Sequence, residues 1–162
     1  MSQTACQPCE QQDEQNAVMF PDRISYGGWP IDVHHPRGIY SGPEGPFDCD
    51  PHVPIYSIPY RSLYSVNVEN LMMAGRHVSV THIALGTVRV EGTLATLGQA
   101  AGTAAHLALK EGVEPRHVNV ETLQRKLLRQ GQVLTYFKDI DRADPAYAAL
   151  QYFGTKGFFK DY

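Results

Sequence analysis

Two side chains near the middle of the chain, His82 and Arg89, have the types and the setting that chemistry needs. A histidine titrates near neutral pH, so it can donate or accept a proton in a reaction. An arginine can hold a substrate carboxylate or a developing oxyanion with its planar set of N–H donors. A structural hydrogen bond between loop and helix is an equally good interpretation of His82, and the residues alone favour neither.

The segment before these two side chains predicts how they are positioned. An apolar run at 68–74 ends at Gly75, as a short strand buried in a parallel sheet would end. Ligands bind outside the carboxyl ends of such strands, so the turn that follows this run would lie beside a ligand. The polar, glycine-punctuated stretch 77–89, which carries His82 and Arg89, is then expected to be a loop facing the ligand.

A long helix is predicted over Glu91–Glu111, with Gly112 as its C-cap, because leucine and alanine recur there at helical spacing. Its N-terminus would present unpaired N–H groups and partial positive charge, with Thr93 and Leu94 as the expected backbone donors. Small residues along one side would let another backbone or a flat ring approach: Gly98, Ala101, Gly102 and Ala105. Taken alone, such a helix is more often packed against other helices than bound to a ligand.

Composition excludes several classes of protein. The chain has 162 residues, a net charge of -3, 43% apolar residues and 19% charged residues, which fits one globular domain or a part of a larger one. No cluster of lysine and arginine indicates a nucleic-acid partner, and no apolar run approaches the roughly 18 residues of a membrane span. Three cysteines make no disulfide framework, so we expect a cytoplasmic location.

Two weaker signals concern metals. Cys6 and Cys9 form a single CxxC in a polar stretch that we otherwise expect to be disordered over 1–17. A second group of metal-ligating types lies in loop-like sequence further along: His34, His35, Asp48, Asp50 and His52. Neither group has the spacing of a complete ligand set, so the prediction is no metal site, with a small metal-binding module kept as the least favoured alternative.

Four sequence words together resemble the C-terminal, cofactor-binding end of FAD-dependent oxidoreductases. This family lies in the glutathione-reductase-like flavoprotein superfamily, distantly related to fumarate reductase and succinate dehydrogenase flavoproteins. The words follow one another in the same order with short gaps: IPYRSL (58–63), NLMMAGR (70–76), HIALGTVRV (82–90) and GTLATLGQAAGTAA (92–105). The resemblance covers residues 22–134 and does not reach the first residues of the chain.

The composition of residues 1–17 predicts a disordered tail, and the pattern of residues 135–162 predicts a helical extension. The resemblance implies a mixed α/β fold, in which 18–57 would be the end of a β-rich substrate-binding region and 58–134 the C-terminal part of a Rossmann-like FAD/NAD(P)-binding domain. It also implies the contacts with FAD: Gly75, Arg76, Gly92, Thr93 and Leu94. His82 and Arg89 would face a small-molecule substrate that exchanges a hydride with the flavin.

One element of a dinucleotide site is missing from the sequence. No GxGxxG-type turn follows a strand near the N-terminus, and such a turn is what holds the pyrophosphate in a Rossmann-type fold. We therefore expect an incomplete fold, completed by an N-terminal FAD-binding half that is encoded upstream or belongs to a separate chain. A truncated, non-catalytic fragment that binds no cofactor alone remains the main alternative.

Overall fold

The computed structural model describes residues 10–44, 47–50 and 53–159, with the backbone alone for 44 and 47–50. Four short strands form two separate antiparallel pairs. The first pair joins β1 (Arg23–Gly27) to β4 (Tyr56–Pro59), and the second joins β2 (Ile31–His34) to β3 (Phe47–Asp50). The mixed α/β class is thus confirmed, but no parallel Rossmann-like sheet occurs within these described ranges.

Five α-helices accompany the strands: α1 (Gln11–Gln15), α2 (His82–Val88), α3 (Glu91–Glu111), α4 (Val120–Arg129) and α5 (Tyr147–Thr155). Short 3-10 turns lie between them: Gly38–Tyr40, Gly42–Glu44, Tyr60–Leu63, Gly75–His77 and Pro115–His117. Each of these α-helices, within the part of the chain that is described, is too short or too polar to span a bilayer.

Helix α3 is the centre of the core, and its prediction is confirmed. Its buried side includes Leu97, Ala104 and Leu107, which belong to one apolar cluster with residues of β1, β4 and α4. Gly112 ends the helix in the left-handed conformation at φ 66°, and its N–H donates to the carbonyl of Ala108. A side chain at that φ would be strained, so the glycine fixes where α3 stops.

Helix α4 is amphipathic and is joined to α5 by side-chain hydrogen bonds. The side chain of Asn119 accepts from the N–H of Thr122 at 2.9 Å, so Asn119 is the N-cap of α4. On the outer side of α4, Glu121 accepts hydrogen bonds from Arg125, Tyr152 and Lys156. The hydrogen bond from Lys156, then those from Tyr152 and Arg125, lower the pKa of Glu121 to about 2, so it remains a carboxylate.

The strand predicted at 68–74 is wrong. Only an isolated antiparallel bridge between Tyr64 and Met72 forms there, and the side chains of Leu71 and Met73 are 40% and 39% exposed. A buried parallel strand requires neighbouring strands on both edges, and the described residues supply none beside this segment. The loop predicted at 77–89 is also wrong in part, because α2 occupies most of it.

The tail predicted over 1–17 is ordered where the structure describes it. Residues 11–15 form α1, whose first turn has a reciprocal capping arrangement between Glu10 and Asp13, and Glu14 is fully buried. Burial, and then the neighbouring Asp13 carboxylate, raise the pKa of Glu14 to about 9. The polar composition of this segment suggested disorder, but Glu14 packs into the protein in its protonated form.

The raised pKa of Glu14 predicts a pH-dependent stability. The folded state holds this proton up to about pH 9, whereas the unfolded chain releases it near 4.5. The contribution of Glu14 to stability is therefore greatest below about pH 4.5 and falls as pH rises towards 9. Glu14→Gln should remove this slope and raise the free energy of unfolding by on the order of 2 kcal/mol at about pH 8. Urea titrations of both proteins at about pH 5 and pH 8 measure it, and identical slopes in the two proteins would contradict it.

Candidate functional site

The turn after the apolar run has the geometry of a ligand-facing glycine turn. Gly75 opens the 3-10 turn Gly75–His77 at φ 67°, in the left-handed region, and a Cβ built there would meet nothing within 4 Å. The turn packs against α3, and the side chain of Arg76 is exposed. Gly75 and Arg76 thus lie at the surface beside the long helix, with open space around the glycine.

The N-terminal tip of α3 is open as predicted, with one correction. No side chain caps it, and no carbonyl among the described residues accepts from the N–H of Gly92 or Thr93. The N–H of Leu94, expected to be a donor, already donates to the carbonyl of Val90 at 2.9 Å, so it is occupied within the helix. Gly92 and Thr93 are therefore the available donors.

A cavity of about 460 Å³ adjoins this tip. Gly92 and Thr93 form part of its wall, and Arg142 is the charged side chain among its described lining residues. Two residues with available N–H groups at the positive end of a 21-residue helix, together with one arginine, therefore line the same space. This arrangement suits an electron-rich or anionic edge of a ligand.

His82 and Arg89 lie at the two ends of α2. Seven residues of helix place them on the same side and about 10 Å apart along the axis. The imidazole of His82 is exposed, and no hydrogen bond joins it to a described residue. Neither side chain lines the cavity at the α3 tip. The length of α2 separates the two residues from each other.

Arg89 has a partner that the sequence analysis missed. Its guanidinium donates to the carbonyl oxygen of Asp32 at 2.9 Å and to the carboxylate Oδ2 of Asp32 at 3.0 Å. The other carboxylate oxygen, Oδ1, lies 3.5 Å from Nε2 of His34. Fifty-seven residues separate Arg89 from Asp32, so no local pattern could have revealed the pair. Asp32 fixes where Arg89 points.

Gly86 explains how α2 and β2 come close enough for this pair. A Cβ built at Gly86 would lie 2.9 Å from the carbonyl oxygen of Asp32 and 3.3 Å from its nitrogen. One turn of α2 thus packs directly against the backbone of β2. Nearby, Thr87 hydrogen-bonds with the carbonyl of Trp29 and with the hydroxyl of Tyr56. In the sequence, the signal for this close approach is Gly86 itself, within the glycine-punctuated stretch 77–89.

No metal centre forms in the part of the chain that is described. Within it, no three His, Cys, Asp or Glu side chains converge on one point. Most residues of the two metal hypotheses lie outside the described residues or side chains: Cys6, Cys9, Asp48, Asp50 and His52. The prediction of no metal site stays a prediction for those.

Comparison with known proteins gives one decisive result. The model of a family described as FAD dependent oxidoreductase matches residues 7–127. The chain belongs to this family. The match spans every residue predicted to contact FAD or substrate, so the resemblance to FAD-dependent oxidoreductases is confirmed at the level of the family, and a flavin-linked redox role follows from it. No curated protein and no solved structure matches the chain.

The described residues fit one part of FAD and not the whole of it. The free amides of Gly92 and Thr93 can meet the electron-rich edge of an isoalloxazine ring. The nest of amides that holds a pyrophosphate forms at a glycine-rich turn between a parallel strand and a helix. Neither that turn nor a parallel strand pair occurs among the described residues of this member of the FAD-dependent oxidoreductase family.

Proposed function

We propose that this chain forms the C-terminal part of a flavoenzyme, in which the tip of α3 contacts the isoalloxazine edge of FAD. The observation that carries the proposal is the pair of amides at Gly92 and Thr93, which have no acceptor among the described residues and lie at the positive end of a 21-residue helix. Negative charge gathers on the N1/O2 edge of a flavin when it is reduced. Fixed donors and a helix dipole at that edge favour the reduced state.

The other cofactor contacts follow from the turn at Gly75–His77. The left-handed Gly75 leaves open space for the ribityl-pyrophosphate region to approach the backbone. Arg76, exposed beside it, can offer its guanidinium to a phosphate. Leu94 contributes no free N–H, and its side chain packs partly against the core. We therefore reduce its proposed role to shaping the helix tip.

The substrate would lie on the side of α2 that carries His82 and Arg89. Bound FAD supplies the hydride chemistry, and the chain supplies binding and proton positions. Arg89, held by Asp32, would orient a carboxylate or carbonyl oxygen of a small organic substrate. His82, exposed and without a protein partner among the described residues, would hold or release the accompanying proton.

The pyrophosphate of FAD requires a partner in this proposal, namely an N-terminal FAD-binding half from the same gene or from a separate chain. The outward side of α3 supports such docking, because Cβ atoms at Gly98 and Gly102 would meet nothing within 4 Å. Leu109, on the same helix, is 86% exposed. A reducing cytoplasm suits a chain with three cysteines, and we propose that location.

The variant Gly92→Leu tests the proposed contact at the helix tip. A leucine there has room in the chain, since a Cβ meets nothing within 4 Å, but it would occupy the space proposed for the ring. When FMN is titrated into isotope-labelled protein, the ring should shift the amide signals of Gly92 and Thr93. In Gly92→Leu, the shift at Thr93 should fall by about fivefold or more, corresponding to roughly 1 kcal/mol of lost binding.

Gly102→Leu is the matched control for this experiment. It places the same side chain at an equally open glycine about 15 Å further along α3. It should leave the FMN-induced shifts at Gly92 and Thr93 unchanged. Equal losses in the two variants, or no shift at the tip in the parent protein, would argue against a flavin at this helix end.

A non-catalytic role is the second candidate, and one observation favours it. The strand predicted at 68–74 does not form, so the sheet that usually underlies a dinucleotide site is absent from the described residues. Such a chain would keep the family's sequence words and bind no flavin. The FMN titration separates the two candidates, because a non-catalytic chain would show no shift at the α3 tip.

A further inference from the structure

A second and larger cavity lies away from the residues assigned to flavin and substrate. It has a volume of about 1200 Å³ and opens between the chain around β1 and β4 and the segment that follows α5. None of the cofactor and substrate candidates discussed above is among its described lining residues. The cavity therefore needs an explanation separate from the proposed flavin contact.

The charged side chains of this cavity have one sign. Arg23, Lys138 and Lys156 line it, and its described wall contains no aspartate or glutamate. Arg23 is 1% exposed, and its guanidinium donates to the carbonyl of Gly154. That bond holds the charge in place inside the wall instead of letting it extend into solvent. Lys138 and Lys156 are exposed at the cavity and can move towards a ligand.

One of the two lysines, Lys156, also forms an ion pair with a carboxylate outside the cavity. The ammonium of Lys156 donates to Oε2 of Glu121 at 3.0 Å, and the same carboxylate also accepts from Arg125 and Tyr152. Glu121 itself does not line the cavity. Lys156 is thus held at the rim with part of its charge compensated, whereas no ion pair of Lys138 with a described residue is seen.

The rest of the wall is largely apolar. Met19, Val53, Ile55 and Phe159 contribute carbon surface between the cationic side chains. Ligand sites combine an apolar lining with a few placed polar groups, and their volumes run from roughly 300 to 1,000 Å³. This cavity has both features and room for a ligand that fills it only in part.

We propose that this cavity binds an organic anion with an apolar body, whose carboxylate or phosphate group is held by Lys138 and Lys156 near the buried Arg23. The apolar body would lie against Met19, Ile55 and Phe159. Charge-assisted hydrogen bonds to the lysines supply the preference for an anion, and burial of the carbon chain supplies the remaining affinity. The site is distinct from the proposed flavin contact and does not depend on it.

Octanoate, 1-octanol and inorganic phosphate test separately whether the cavity requires an anionic group and whether it requires an apolar body. Each is titrated into isotope-labelled protein while the amide signals around Arg23, Ile55 and Thr155 are followed. Octanoate should bind saturably and at least tenfold more tightly than 1-octanol, a difference of about 1.4 kcal/mol. Phosphate should bind more weakly than octanoate. If 1-octanol binds as tightly as octanoate, or if phosphate binds as tightly, the proposal is wrong.

Three variants locate the charge requirement. The double variant Lys138→Gln/Lys156→Gln should lose the preference for octanoate over 1-octanol, while Lys110→Gln, an exposed lysine outside the cavity, should keep it. Glu121→Gln should bind octanoate at least as tightly as the parent, because it releases Lys156 towards the cavity. Unchanged octanoate affinity in the double variant, or shifts confined to residues outside the cavity, would overturn the proposal.

Discussion

Leu97→Ala will lower the free energy of unfolding by about 3 kcal/mol, through lost burial and the cavity left behind. Leu97 is fully buried on α3, in the apolar cluster that joins this helix to β1, β4 and α4. Because these four elements share one core, the vacated volume cannot be refilled by a local shift of a single side chain. The loss is measured by urea denaturation at neutral pH with unchanged m-value.

Leu109→Ala is the matched control on the same helix. The residue type and the substitution are identical, but Leu109 is 86% exposed, so its loss should change stability by less than about 0.5 kcal/mol. If the two substitutions cost the same, α3 does not pack through the side that carries Leu97, and the arrangement of the core is incorrect.

Gly86→Ala will destabilise the protein by about 2 kcal/mol, although it adds one methyl group to a helix. The new Cβ would sit 2.9 Å from the carbonyl oxygen of Asp32, and a backbone atom cannot move aside as the end of a side chain can. Helix α2 must therefore shift away from β2. The hydrogen bonds of Arg89 to Asp32 would lengthen or break as a consequence. Denaturation measures the loss of stability, and the side-chain NMR signal of Arg89 reports the loss of its hydrogen bonds to Asp32.

Gly98→Ala is the same glycine-to-alanine substitution, but it should raise stability where Gly86→Ala lowers it. Its Cβ would meet nothing within 4 Å, and alanine in a helix interior is favoured over glycine by roughly 0.5–1 kcal/mol. This variant should therefore gain stability while Gly86→Ala loses it. A gain in both variants would show that α2 and β2 do not approach each other closely.

Helix α3 could be predicted from sequence because its causes are local, whereas α1 and α2 lie where a disordered tail and a loop were expected. Helix α3 follows from the spacing of leucine and alanine, and its end follows from the φ that Gly112 adopts. The N-cap of α4 follows from the short reach of Asn119 to the N–H of Thr122. The segment 68–74 failed for the converse reason. An apolar run becomes a strand only when neighbouring strands accept its hydrogen bonds, and sequence alone does not supply those neighbours.

The candidate site also has one part that could be predicted from sequence and one part that could not. The open tip of α3 was predictable, because every helix begins with N–H groups that lack intrahelical partners. The N–H of Leu94 is the first in α3 to have an acceptor inside the helix, the carbonyl of Val90. Helical spacing alone could have shown that this N–H is not free. Asp32, the partner of Arg89, could not be found, since the pair depends on α2 packing against β2 across fifty-seven residues. Contacts of that range are set by the tertiary structure.

Comparing FAD with FMN on this chain alone tests the central claim most directly. If the chain offers the helix tip at Gly92 and Thr93 but no pyrophosphate nest, the two ligands should bind equally weakly and shift the same two amides. Neither should survive gel filtration. Protein that retains stoichiometric FAD, with absorbance near roughly 450 nm, or that binds FAD far more tightly than FMN, would contradict the account.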